Sequence, residues 1–380
     1  MQQLILFDTT MKKDISIILI FAFTLILSAC KKDIDPAINS QQLPGEILNS
    51  EANVVIEPTY TAVVNDASAL CLGISQFQSS PTQVNLINCR QLWLNISRDY
   101  EQTEAFLFGP VAIGGYDGLL NAYPIDTTGV DTIVNGNSVI DQDYISSLPT
   151  FQQGFHCMEF ELYGGNGNKT ATQFTNRQIT YIYQLALTIQ SSVAQLDSSW
   201  NSSISGNYNY QFVNAGNGSN VYPDQRAAYS DMIMAIANIC ETDNIYKMNN
   251  PLSNHNAGLE ESPYANNSLN DIRNNLIGVR NIYLGYYNNQ QGYGITNMVT
   301  RYNSPFDNQI RNDITNAINS IDQITLPLNQ AIIQQPAQVH NAMNLCDSLD
   351  DALKNDVQFF VDKYTNYVKI KNEKQFIKCL

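Results

Sequence analysis

The chain has 380 residues, 44% of them hydrophobic, and 35 acidic against 20 basic side chains leave a formal net charge of -15. That length buries a core and suits two domains. So acidic a surface repels a phosphate backbone, which removes nucleic acid from the expected partners and leaves solubility or multivalent cations as the readings of the charge.

The first thirty residues read as an address rather than as part of the fold. Lys12-Lys13 follow Met11, the expected start, and precede an apolar run over residues 17–27. A run that short, ended by small residues, is a secretory h-region and not a spanning helix. It closes on Leu27-Ser28-Ala29-Cys30, which resembles a bacterial lipobox, and that resemblance makes Cys30 the lipid-attachment residue. Anchoring to the bacterial outer membrane by acyl chains is the expectation. Lys31-Lys32-Asp33 resemble the signal that sends some lipoproteins to the outer face of that membrane. Residues 31–58 mix Pro, Asn, Gln and acids without a period and read as a flexible tether. The other six cysteines, Cys71, Cys89, Cys157, Cys240, Cys346 and Cys379, lack the close spacing of a disulfide scaffold or a zinc site and read mostly as buried small hydrophobes.

From there the helical period takes over. Helices are predicted near 60–77, 83–108, 150–163 and 175–200, making a first bundle within residues 59–205. A second set near 225–248, 268–288, 307–325 and 337–368 makes another within residues 206–380. Ile182, Ala186, Ile189, Val193, Leu196 and Trp200 fall at spacings of four and three, as do Leu269, Ile272, Leu276, Val279 and Tyr283. Ser268 with Asp271 reads as a capping box. The expected fold is therefore all-α, two four-helix-bundle-like domains divided at the polar stretch 201–223, which is long for a connection inside one domain. Loops 109–144 and 249–267 read as surface connections by default. The first could bring two acid-bearing helices together, and the second, with Glu260 and Glu261, could cover a cleft.

His156 and Glu159 lie three apart on a predicted helix and so project from one face. Glu101 and Glu104 repeat that spacing on another helix. Facing helices of a bundle can converge such side chains, and a mixed nitrogen and carboxylate set suits iron, zinc or manganese better than copper or calcium. The competing reading makes His156 a satisfied core histidine and each glutamate a salt-bridge partner or a solvated group. Arg90, Arg98, Arg273 and Arg280 read either as orienting the carboxylates or as ordinary helix-face charges.

The hexapeptide Gly154-Phe155-His156-Cys157-Met158-Glu159 fits a Gly-x-His-x-x-Glu pattern. Arg90-Gln91-Leu92-Trp93 leads to Glu101-Gln102-Thr103-Glu104-Ala105-Phe106-Leu107-Phe108-Gly109-Pro110. Together they resemble the two signatures of the imelysin family of bacterial envelope proteins, sometimes classed as peptidases. The similarity covers residues 84–200 and, more weakly, 262–283. It implies two helical bundles and a metal site at His156, Glu159, Glu104 and Glu101, with Glu104 kept ahead of Glu101 if only one of that pair binds. It also implies iron rather than zinc, because imelysin-like proteins are associated with iron-regulated uptake.

The expected function is thus a surface-anchored lipoprotein that binds a transition metal or its chelate and assists uptake with an envelope transporter. The alternative is a metallopeptidase acting on extracellular protein. The His-Glu-x-x-His arrangement that gives a zinc peptidase two ligands and a base is absent, as are a Gly-x-Ser-x-Gly elbow and a phosphate-binding glycine loop. No catalytic residue is assigned, since Glu101 as base needs an added assumption. An adhesion or assembly role for the tyrosine-rich stretch 208–222 is a third reading.

Overall fold

A computed structural model describes residues 42–363. The signal segment, Cys30, the first part of the tether and Cys379 lie outside the described residues. The fold is all-α. Helix α1 spans Leu43–Ser50, α2 Glu57–Ser79, α3 Gln83–Thr103, α4 Gly154–Tyr163 and α5 Asn176–Trp200. After these come α6 Gln225–Thr242, α7 Ser268–Leu284, α8 Ser304–Asp322 and α9 Pro336–Asp351. Shorter helical turns fill the connections, and among the described residues the only strands are the two-residue pair Tyr286–Tyr287 and Gln290–Gln291.

The apolar stripes do the packing that their period predicts. Ile182, Ala186, Ile189, Val193, Leu196 and Trp200 are all buried on one face of α5, and Thr175 with Gln178 closes a capping box at its start. Helix α2 packs on both α3 and α5, with α4 set against α3 and α5. In the second set α6 and α8 each pack on α7 and α9. The sets meet where α3 runs along α7, and Gly278 explains how closely. A Cβ there would fall 2.4 Å from the Gln102 carbonyl oxygen, so only glycine lets the two backbones approach.

One hydrophobic core runs through both sets. The polar stretch 201–223 carries its own helix, Tyr208–Val213. It delivers Phe212 against Phe108 and Trp200, with ring centroids 5.6 Å away in each case.

The tether expected over 31–58 ends early. Residues 43–56 continue through a π-helical turn, Glu51–Ile56, into α2, and Leu43, Ile47, Leu48, Ala52, Val55 and Ile56 are buried. Those positions carry a helical period. Pro44 and Gly45 make the segment look like a linker, yet proline in the first turn is compatible with a helix because no partner is lost there. The capping box expected at Ser268 is also absent. Ser268 Oγ accepts from the Ser262 amide and donates to Glu260, while Asp271 accepts from Ser97 and Asn267. Burial of that end of α7 against α3 outcompetes local capping.

The five described cysteines are unpaired and buried. Among the described residues no helix is long and apolar enough to cross a membrane.

Candidate metal centre

Helix α3 ends at the seam between the two sets, so Glu101 and Glu104, one turn apart, point into protein rather than water. They are 2% and 4% exposed. The loop before α7 contributes Glu261, and ligand oxygens of these three carboxylates lie within 4.8 Å of one another. Three buried carboxylates cannot coexist without compensation.

Lys247 supplies it from a second π-helical turn, Asp243–Asn249. Its ammonium lies 3.1 Å from Glu101 Oε2, 3.1 Å from Glu104 Oε2 and 2.7 Å from Glu261 Oε2, and it donates to Asn275 Oδ1 at 2.8 Å. Asn275, on α7, also donates to Glu101 Oε2 at 2.8 Å. A cavity of about 240 Å³ adjoins the cluster, lined among others by Glu104, Asp117, Asn121, Tyr123, Lys247 and Glu261.

Burial pushes the Glu101 and Glu104 carboxyls up, and Lys247 only partly offsets it. Glu261 is pushed well up by burial and by Glu101. For Lys247, burial works to lower the pKa, but the surrounding acids overcome it and hold the ammonium firmly charged. One ammonium serves three carboxyl groups, and further cationic charge beside them would favour their ionised forms.

His156 and Glu159 stand beside this cluster rather than in it. Asn121 is the bridge: its amide donates to Glu104 Oε1 at 2.7 Å and to Glu261 Oε1 at 3.1 Å, and its Oδ1 lies 3.0 Å from His156 Nε2. Because the Asn121 nitrogen is committed to the carboxylates, its oxygen must accept, so the network places the imidazole proton on Nε2. Nδ1 is then the acceptor, 3.4 Å from Glu159 Oε2. Burial lowers His156 to about 4 and raises Glu159 to about 8, the latter despite the Ala265 and Tyr264 amides that bond Glu159 Oε1. Both shifts describe a neutral pair, with a protonated Glu159 facing Nδ1.

In this arrangement His156 presents an N–H toward the cluster and Glu159 holds the loop that carries Glu261. The four residues singled out from sequence are thus neighbours, with Glu101 and Glu104 at ligand distance and His156 and Glu159 one residue removed.

The Gly of the hexapeptide has its own reason. Gly154 opens α4 at φ +84, and a Cβ there would meet the Leu120 carbonyl oxygen at 2.4 Å. The chain therefore passes residue 120 closely enough to deliver Asn121 to His156. Trp93 fixes the other side, its indole donating to the Phe155 carbonyl at 3.0 Å.

None of the four arginines reaches the carboxylate cluster through a described hydrogen bond or ion pair. Arg90 holds the Leu162 carbonyl, Arg98 pairs with Asp99, Arg273 with Asp322 and Arg280 with Asn281.

Sequence reasoning missed Lys247, Asn121 and Asn275, and it left Glu261 in a loop of undefined role. Lys247 did carry a signal: it is the only lysine or arginine between Arg226 and Arg273.

An all-α protein whose two helical sets close on a buried carboxylate cluster is the class these features define. A family model described as imelysin, a peptidase family, matches residues 56–355, and the chain belongs to that family. Iron-regulated protein A of Synechococcus elongatus is 28% identical over 262 residues, covering 68% of this chain and 68% of that protein. Two crystal structures share the fold. A protein assigned as an iron-regulated protein A precursor from Parabacteroides distasonis superposes with a TM-score of 0.75 at 19% identity, covering 87% of this chain and 97% of the other. An imelysin-like protein from Psychrobacter arcticum gives 0.67 at 15% identity, covering 85% and 96%.

Proposed function

We propose that the protein binds iron at the buried junction of its helical sets and assists its uptake at the cell surface, held to the outer membrane by lipid on Cys30. The observation that carries the binding step is the convergence of Glu101, Glu104 and Glu261 around a point that a cation, the Lys247 ammonium, already selects. An oxygen-rich donor set favours a hard cation over zinc, and the iron-regulated name of the Synechococcus relative agrees with iron as the cargo. His156 supports the site through Asn121 and would add a nitrogen donor only if Asn121 moved aside. The metal or its chelate then passes to an envelope transporter.

Metal analysis after iron loading tests this. Glu104→Gln combined with Glu261→Gln is expected to abolish stoichiometric iron. His156→Ala, which removes a group orienting the ligands, is expected to weaken binding about 10–100-fold. Unchanged affinity in the double variant rejects the site. The metallopeptidase reading predicts chelator-sensitive cleavage of an unfolded protein, whereas a carrier binds without turnover.

A further inference from the structure

We propose that Lys247 is a tethered competitor for the metal: cation loading is an exchange in which the ammonium leaves Glu101, Glu104 and Glu261 and withdraws into the adjoining cavity toward Asp117. The inference rests on the site proposed above and adds how that site is controlled and which cations it admits.

Geometry makes the two occupants mutually exclusive. Metal–carboxylate bonds run roughly 2.0–2.6 Å, while Nζ sits 2.7 to 3.1 Å from its three carboxylate oxygens. An ion bonded to all three would occupy the place of the nitrogen itself. Removing one partner from a buried charge group is strongly unfavourable unless another charge replaces it, so the lysine yields only to an incoming cation.

Three features let it yield. Lys247 lies on a π-helical turn, a backbone form found mostly as single turns inside α-helices and frequently at functional sites. Lys247 and Asp117 both line the cavity of about 240 Å³. Asp117 has one described side-chain hydrogen bond, from the Tyr100 hydroxyl at 3.4 Å, and so retains acceptor capacity for an ammonium. Asp243, four residues before Lys247, is fully buried and both its carboxyl oxygens lack a hydrogen-bond partner. It too interacts electrostatically with Lys247, Glu104 and Glu101, which places a further acid within the field of an incoming cation.

Selectivity follows from the exchange. A monovalent ion replaces one positive charge by another and gains nothing, whereas a di- or trivalent ion brings more positive charge than the ammonium it displaces to three buried carboxyl groups. The admitted class is therefore hard multivalent cations.

Manganese(II) is a suitable probe, titrated by the disappearance of its free-ion EPR signal into wild type, Lys247→Met and Glu104→Gln. Lys247→Met is expected to bind at least about tenfold more tightly than wild type and Glu104→Gln to lose binding. A crystal structure of the manganese-loaded wild type is expected to show Nζ withdrawn from the three carboxylates toward Asp117, and it decides the matter should Lys247→Met fail to fold. Wild-type binding at these carboxylates with Nζ still in place, or equal affinity in Lys247→Met, overturns the exchange and leaves the site standing. No binding by wild type or Lys247→Met removes the site and the exchange with it.

Discussion

At the scale of single residues, the centre depends on positions where one atom decides the outcome. Gly154 combines φ +84 with a carbonyl oxygen 2.4 Å from where a Cβ would be. Gly154→Ala is therefore expected to cost at least about 1–3 kcal/mol in backbone strain alone, read as a lower urea midpoint. The clash falls on Leu120, next to Asn121, so the metal affinity proposed for the site should fall with it. A loss of stability with unchanged affinity would show that Asn121 does not transmit the strain. His156 illustrates the opposite point. Its role is set by which nitrogen bears the proton, and that is fixed by Asn121, a residue on a connection between helices.

Elements explain why those residues meet. Helix α3 brings Glu101 and Glu104 to the seam, Gly278 lets α7 close on it, and the Asp243–Asn249 turn inserts Lys247 from the second set. Helix α1 matters although the sequence reads as tether: Leu48 is fully buried. Leu48→Ala is expected to destabilise the fold by about 2–5 kcal/mol, measured by equilibrium unfolding. A tether residue would leave stability unchanged. The helices themselves were legible because amphipathic periods survive any tertiary arrangement. Helix α1 was obscured by Pro44 and Gly45, and the end of α7 by a local capping signal that burial overrode.

At the scale of the whole molecule, buried acid is the dominant electrostatic fact. Burial holds Glu51, Glu261, Asp243 and Asp271 well above their ordinary range, and puts Glu260 at about 7 and Glu159 at about 8. A carboxyl raised on folding makes the native state bind more protons than the unfolded one. Its contribution to stability is complete below the unfolded pKa and is lost as pH rises through the folded one. His156, lowered to about 4, acts in the opposite sense, its contribution present above its unfolded value near 6.5 and lost as pH falls through about 4. The acids outnumber it.

Metal-free protein is therefore expected to be more stable at about pH 5 than at about pH 8 in urea unfolding. Stability rising between those points would refute the assignment. Glu51, fully buried with neither carboxyl oxygen hydrogen-bonded, should contribute to the slope. Glu51→Met is expected to stabilise the protein at about pH 8 more than at about pH 5, and an equal gain at both would assign the effect to packing.

Sequence alone determined the all-α class, the helices that build both sets and the two acid pairs, because period and spacing are properties of one segment at a time. It also carried the family resemblance, which the match over residues 56–355 establishes. Tertiary structure alone decided that Glu261 completes the carboxylate group, that Lys247 holds its centre and that Asn121 stands between it and His156. Those partners come from segments separated by up to 160 residues of chain, and no local pattern records which buried charge will face which.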